Sequence, residues 1–185
     1  MAKNASSRRE ALEWLRRLYR AENETAKLYD VLQRIHDSSP TEAPITADLA
    51  RLGLNVGQNT EQSHQLAKEA YDREPNEVNC AVTYAFSLYR LGKNAEALAI
   101  MQSLPPEQLH DPHAAVYVAL LLAEGGQAEA ASDYIAATDD TEIYPEEETL
   151  LDEAKAKLAT ASANPSATIS ALPAELSPTP TALPR

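Results

Sequence analysis

The sequence predicts an all-α fold: an α-solenoid of about four antiparallel helix pairs closed by a C-terminal capping helix. Three observations predict it. The chain repeats itself at a spacing of 33 to 35 residues, its apolar residues follow helical spacing with no segment that reads as a strand, and three of its five glycines recur where pairs of helices would turn. The offset of 33 carries Gly92 with Ala95-Glu96-Ala97 onto Gly125 with Ala128-Glu129-Ala130, and Tyr84, Leu88 and Met101 onto Tyr117, Leu121 and Tyr134. An offset of 35 carries Gly92, Ala85 and Met101 back to Gly57, Ala50 and Leu66. A fourth unit comes first, with Leu15, Asn23, Leu32 and Pro40 lying 34 or 35 residues before Leu49, Gly57, Leu66 and Pro75.

Each element has a local reason to form. Ser7 and Glu10 have the spacing of a capping box, which places the first helix start there and residues 1–6 in a disordered N-terminus. Leu12, Leu15 and Tyr19, then Leu28, Leu32 and Ile35, share helix faces in the first pair. The turns are expected close to Asn23, Gly57, Gly92 and Gly125. Between the third and fourth units the linker "PPEQLHDP" interrupts the period, and Asp111-Pro112 restarts a helix, because proline is tolerated in the first turn and an acid suits the positive end of the helix dipole. Tyr144-Pro145-Glu146-Glu147-Glu148 begins the closing helix, expected from Pro145 to Ala159. Its Leu150, Leu151, Ala154 and Leu158 face the last pair. The helical repeat domain is thus read as 7–159. Residues 160–185, with five prolines in 26 residues and little charge, are read as a disordered tail or linker, with a tethered docking segment as the alternative.

These residues resemble the tetratricopeptide repeat (TPR) of bacterial-type proteins, a unit of about 34 residues with a small residue where its two helices cross, a glycine at the turn, an alanine in the second helix and a proline between units. The matching positions are Ala50 and Ala85 at the crossing, the three glycines at the turns, Ala97 and Ala130 in second helices, and Pro40 and Pro75 between units. Ser63 stands where an alanine is expected. The resemblance implies that the first helix of each pair, around residues 10–21, 45–56, 78–90 and 113–124, lines a concave face that binds a peptide or helix of another protein. The partner-binding candidates on those helices are Asn79, Val82, Thr83, Phe86, Tyr89 and Arg90, with Val116, Ala119 and Leu122 on the next pair. The competing reading packs Phe86 and Val116 against a neighbouring helix.

Charge narrows the function. The net charge is −12, and residues 41–185 carry 22 acidic side chains against eight basic ones, so nucleic acid is not expected as a partner. The exception is Arg8, Arg9, Arg16, Arg17 and Arg20, a solvated helix face or a contact for an acidic partner or an anionic membrane surface. No stretch has the apolar length of a transmembrane segment, and the expected setting is soluble and cytoplasmic, with the soluble domain of a membrane-anchored protein as the alternative. Cys80, the single cysteine, is expected buried.

Catalytic chemistry is sparse. His110, Asp111 and His113 are adjacent but lack a fourth ligand, and Asp111-Pro112 is accounted for as a helix start. There is no phosphate loop and no nucleophile elbow, so no catalytic residue, metal or cofactor is expected, and the chain is read as no enzyme. The expected function is a protein–protein interaction scaffold or adaptor. A structural or homo-oligomerisation module, as part of a larger assembly protein, is the alternative.

Overall fold

The computed structural model describes residues 2–57, 59–139 and 143–163. Among them it has ten helices and no strand, in the order α1 (Ala2–Ala21), α2 (Thr25–Ser38), α3 (Ala43–Asn55), α4 (Thr60–Arg73), α5 (Val78–Arg90), α6 (Asn94–Gln102), α7 (Pro106–Leu109), α8 (Pro112–Glu124), α9 (Ala128–Ala136) and α10 (Pro145–Ala163). The pairs are α1/α2, α3/α4, α5/α6 and α8/α9, each packed on the next. The core follows this stacking. Leu12, Leu28, Leu32, Ile35 and Leu49 close the first two pairs, and a second cluster runs from Leu54 through α5 and α8 to Leu150, Leu151 and Ala154 of α10.

The turns fall where expected, with one correction. Asn23, Gly57 and Gly92 take the left-handed conformation at φ 54°, 68° and 75°, but in the fourth pair that residue is Gly126 at 72°, not Gly125. Gly125 instead ends α8, its N–H bonded to the Leu121 carbonyl at 3.0 Å. The first turn manages with asparagine because that side chain tolerates the left-handed region. The same one-residue shift runs through the whole fourth unit. Val78 corresponds to Pro112 and Asn94 to Ala128, an offset of 34 in place of 33. Ala85 therefore corresponds to Ala119 and Ala97 to Ala131, all without solvent exposure, whereas Ala130 is partly buried. The glycine doublet and the successive alanines of "GGQAEAA" align almost equally well in either register, which is why the sequence alone misplaces the unit by one.

Ala50, Ala85 and Ala119 occupy equivalent positions, and each is fully enclosed. Replacing Ala85 with leucine overpacks the crossing, and the expected loss is about 1–3 kcal/mol in a urea titration. An unchanged midpoint would show that no helix approaches closely there.

Both ends differ from the sequence reading. α1 begins at Ala2, so Ser7 lies within the helix and does not cap it, and α10 runs to Ala163, past the expected end at Ala159. Alanine and serine between good helix formers prolong both helices at small cost. The rest of the tail, from residue 164, lies outside the described residues. The linker holds one helical turn, α7, whose Leu109 is buried beneath it. Cys80 is buried, and that burial raises its thiol well above the ordinary range. Among the described residues no helix is long and apolar enough to cross a membrane.

Candidate partner-binding site

Asp48 is the hub of a polar cluster where the first helices of successive pairs converge. On α3 it accepts from Arg51 Nη2 at 3.2 Å, and across the repeat boundary from Asn79 Nδ2 of α5 at 3.0 Å. Arg16 of α1 lies 3.5 Å from its other oxygen. One turn beyond Arg51, Asn55 Nδ2 donates to the Tyr117 hydroxyl of α8 at 3.2 Å. That hydroxyl donates in turn to Glu147 Oε1 at 3.4 Å.

Glu147 is fully buried, and the start of α10 accounts for it. Pro145 opens the helix, and Glu147 Oε2 reaches back to accept the Tyr144 N–H at 3.1 Å. His113 Nδ1 lies 2.7 Å from that same oxygen. A carboxylate only accepts, so the imidazole proton facing it sits on Nδ1. Burial raises the Tyr117 phenol above its ordinary value. Burial also opposes the charge on Arg51, but Tyr117, Asp48 and Glu147 outweigh it and hold the guanidinium charged. The helix starts nearby are already served: Asp111 Oδ1 accepts from the His113 and Ala114 N–H groups at 3.1 and 3.4 Å, and Glu77 from that of Cys80 at 2.7 Å.

Tyr144 stands between two pockets. Its ring stacks on His113, with centroids 4.4 Å apart and planes at 14°, and the Arg20 guanidinium lies 4.2 Å from its centroid. One pocket beside it, of about 440 Å³, is lined by Arg51, Val78, Asn79, Val82 and Gln108 among others. A second, of about 410 Å³, is lined by Arg17, Arg20, Asn23 and Ile143.

The candidates named from the sequence separate. Asn79 and Val82 line the first pocket. Thr83, Phe86, Val116, Ala119 and Leu122 are instead buried in the core, and Val82 itself is a floor residue exposed by only 1 %. Phe86 meets Tyr117 edge to face at 5.0 Å. Ala119 is the crossing alanine of the fourth pair. Tyr89 is half-buried, and its hydroxyl donates to Glu153 of α10 at 2.8 Å; burial and that bond push its pKa to about 12. Arg90 is exposed, 6.0 Å from the Phe86 ring centre. The physical reason is that α5 has neighbours on most sides, namely α3, α4, α6 and α8. In α8 every residue from Ala114 to Ala123 is buried, and a helix apolar all round has no face left for a ligand.

Sequence reasoning missed Arg51, Gln108, His113, Tyr144 and Glu147. Arg51 had a signal: in "LARLGL" it is the lone charge at the repeat position held by Phe86 in α5 and Leu120 in α8. His110 and His113 part company, the first donating from Nδ1 to Pro106 O and the second to Glu147, and among the described residues no group of three or more metal-binding side chains gathers.

No curated protein matches the chain. The crystal structure of MamA protein aligns over 89 % of this chain and 98 % of that chain, at 11 % identity and a TM-score of 0.47. The family model described as Tetratricopeptide repeat matches residues 57–124, which span the turn after α3, the helices α4 to α7 and all of α8. Ala85 and Ala119 and the left-handed turns at Gly57 and Gly92 lie in that segment, and residues 57–124 are a tetratricopeptide-repeat region of the chain.

Proposed function

We propose that the chain is an interaction scaffold that seats a segment of a partner protein in the pocket between α3, α5, α7 and Tyr144. The observation that carries this reading is the pocket itself. Its volume of about 440 Å³ lies within the ordinary range for a binding site, with an apolar floor of Val78 and Val82 and polar walls of Arg51, Asn79 and Gln108. An apolar side chain of the partner rests on the two valines. Backbone carbonyls on either side of it accept from Arg51, whose guanidinium carries five donors and gives one to Asp48. Such a segment is short, because Tyr144 walls the pocket on one side. The wider groove expected over Phe86 and Val116 is closed by their burial.

Gln108 offers a clean test, since it is exposed and lies on α7 at the pocket wall. Peptides selected from a random display library on the full chain are titrated by calorimetry against wild type and Gln108→Trp. The indole fills the pocket, and the expected result is about a tenfold or greater loss of affinity, roughly 1.4 kcal/mol, with unchanged circular dichroism. Equal affinity for both proteins would place the bound peptide elsewhere.

A further inference from the structure

We propose that the second pocket beside Tyr144 takes an acidic side chain, Asp or Glu, of the same partner segment that seats an apolar residue in the first. The inference rests on the proposed seating of that segment on Val78 and Val82. The two pockets share His113 and Tyr144 as a wall. Two residues of extended chain cover about 6.6 Å, enough to pass one ring, so a segment anchored in the first pocket reaches the second within a few residues.

The five arginines of α1 divide by what they meet. Arg9 is bonded to Glu13 and Glu42, and Arg16 to Glu13. Arg8 is exposed, but it stands nine residues before Arg17, half a turn out of phase and about 13.5 Å away along the axis, so it faces away from the pocket. Arg17 and Arg20 share one side of the helix and line the pocket together. Among the described residues neither makes a hydrogen bond or an ion pair. Arg20 is half-buried against the Tyr144 ring, an attraction that holds the guanidinium in place without using its N–H groups. Its Nε is shielded from solvent and has no acceptor, a cost that a carboxylate on the guanidinium fork would relieve. Asn23, in its left-handed turn, adds a side-chain amide to the rim.

No acid among the described residues neutralises these two cations. Glu13 serves Arg9 and Arg16, Glu24 serves Lys27, and Glu147 serves His113. Glu146 lines a small recess with Arg20 but forms no ion pair with it, and Asp140 and Glu142 lie outside the described residues. Arg51 in the first pocket differs, because Asp48 is already its counter-charge at 3.2 Å. With a net charge of −12 the chain repels an acidic ligand in general, so an unpaired arginine couple at one end of the site also fixes the direction in which the segment lies.

Peptides selected on the full chain from the random library test the assignment. Each is synthesised with an amidated C-terminus in two forms, one as selected and one with its acidic residue changed to the corresponding amide, and both are titrated by calorimetry. The selected sequences are expected to carry Asp or Glu within about three residues of the apolar anchor. Wild type binds the acidic form about five- to tenfold more tightly than the amide form. Arg17→Gln/Arg20→Gln binds the two forms equally, at the level wild type shows for the amide. Arg17→Gln alone loses part of the preference with unchanged circular dichroism, because its side chain is exposed and unbonded. Gln108→Trp weakens both forms alike, since it closes the first pocket. Equal binding of the two forms by wild type, with Gln108→Trp still weakening both, would overturn the arginine site and leave the first pocket standing. An acid preference that survives Arg17→Gln/Arg20→Gln, or binding that requires a free terminal carboxylate, would also overturn it. Peptides insensitive to Gln108→Trp, or a library without binders, would remove the first pocket and this inference with it.

Discussion

Phe86→Ala is expected to lower the unfolding free energy by about 3–5 kcal/mol, the cost of removing a buried aromatic and leaving the cavity behind. Phe86 is exposed by 1 %, and its ring stands 5.0 Å from that of Tyr117 at 64°. Tyr117 is itself buried and bonded to Asn55 and Glu147, so neither ring can collapse into the space. Because each helix pair packs on its neighbours, the loss spreads from α5 to α3 and α8, and the chain unfolds at markedly lower urea. A variant with native stability that had lost only a ligand would instead mark Phe86 as a contact residue.

Glu147→Ala is expected to cost about as much, roughly 3–5 kcal/mol, by a different route. The carboxylate is the common acceptor of His113, Tyr117 and the Tyr144 N–H, and a counter-charge to Arg51. Its removal leaves three donors and a largely buried cation without their partner, and breaking a buried pair from one side is far more damaging than replacing both sides. Glu147→Gln keeps an acceptor in place and loses the charge, so its expected cost is smaller. Denaturant titrations of the two variants compare these contributions directly. Equal small effects would show that the start of α10 is held by Leu150, Leu151 and Ala154 alone.

The architecture was legible in the sequence because its causes are local and recur. Left-handed turns need glycine or asparagine, helix starts need Asp111-Pro112 or Tyr144-Pro145, and a crossing needs a small residue, so each unit repeats the same marks. What misled was the step from fold to surface. Assigning Val82, Thr83 and Phe86 to a ligand supposes that α5 packs along one face only, whereas all three are buried. Yet α8 carries ten consecutive buried residues, a pattern that already announces a helix enclosed on all sides. The polar cluster was hidden for another reason. Asp48, Asn79, Tyr117 and Glu147 come from four different helices, and no spacing along the chain reveals that His113 and Tyr144 stack.

The central claim is that a partner segment binds the concave pocket beside Tyr144 and not the outer surface, and photocrosslinking tests it most directly. A benzoylphenylalanine is placed at position 108, on α7 at the pocket wall, and in a second protein at position 99, exposed on α6. Each is irradiated with the peptide selected on the wild-type chain, at a concentration that saturates binding. The account predicts a covalent peptide adduct from position 108 and none from position 99. An adduct from position 99 with none from position 108 would contradict it.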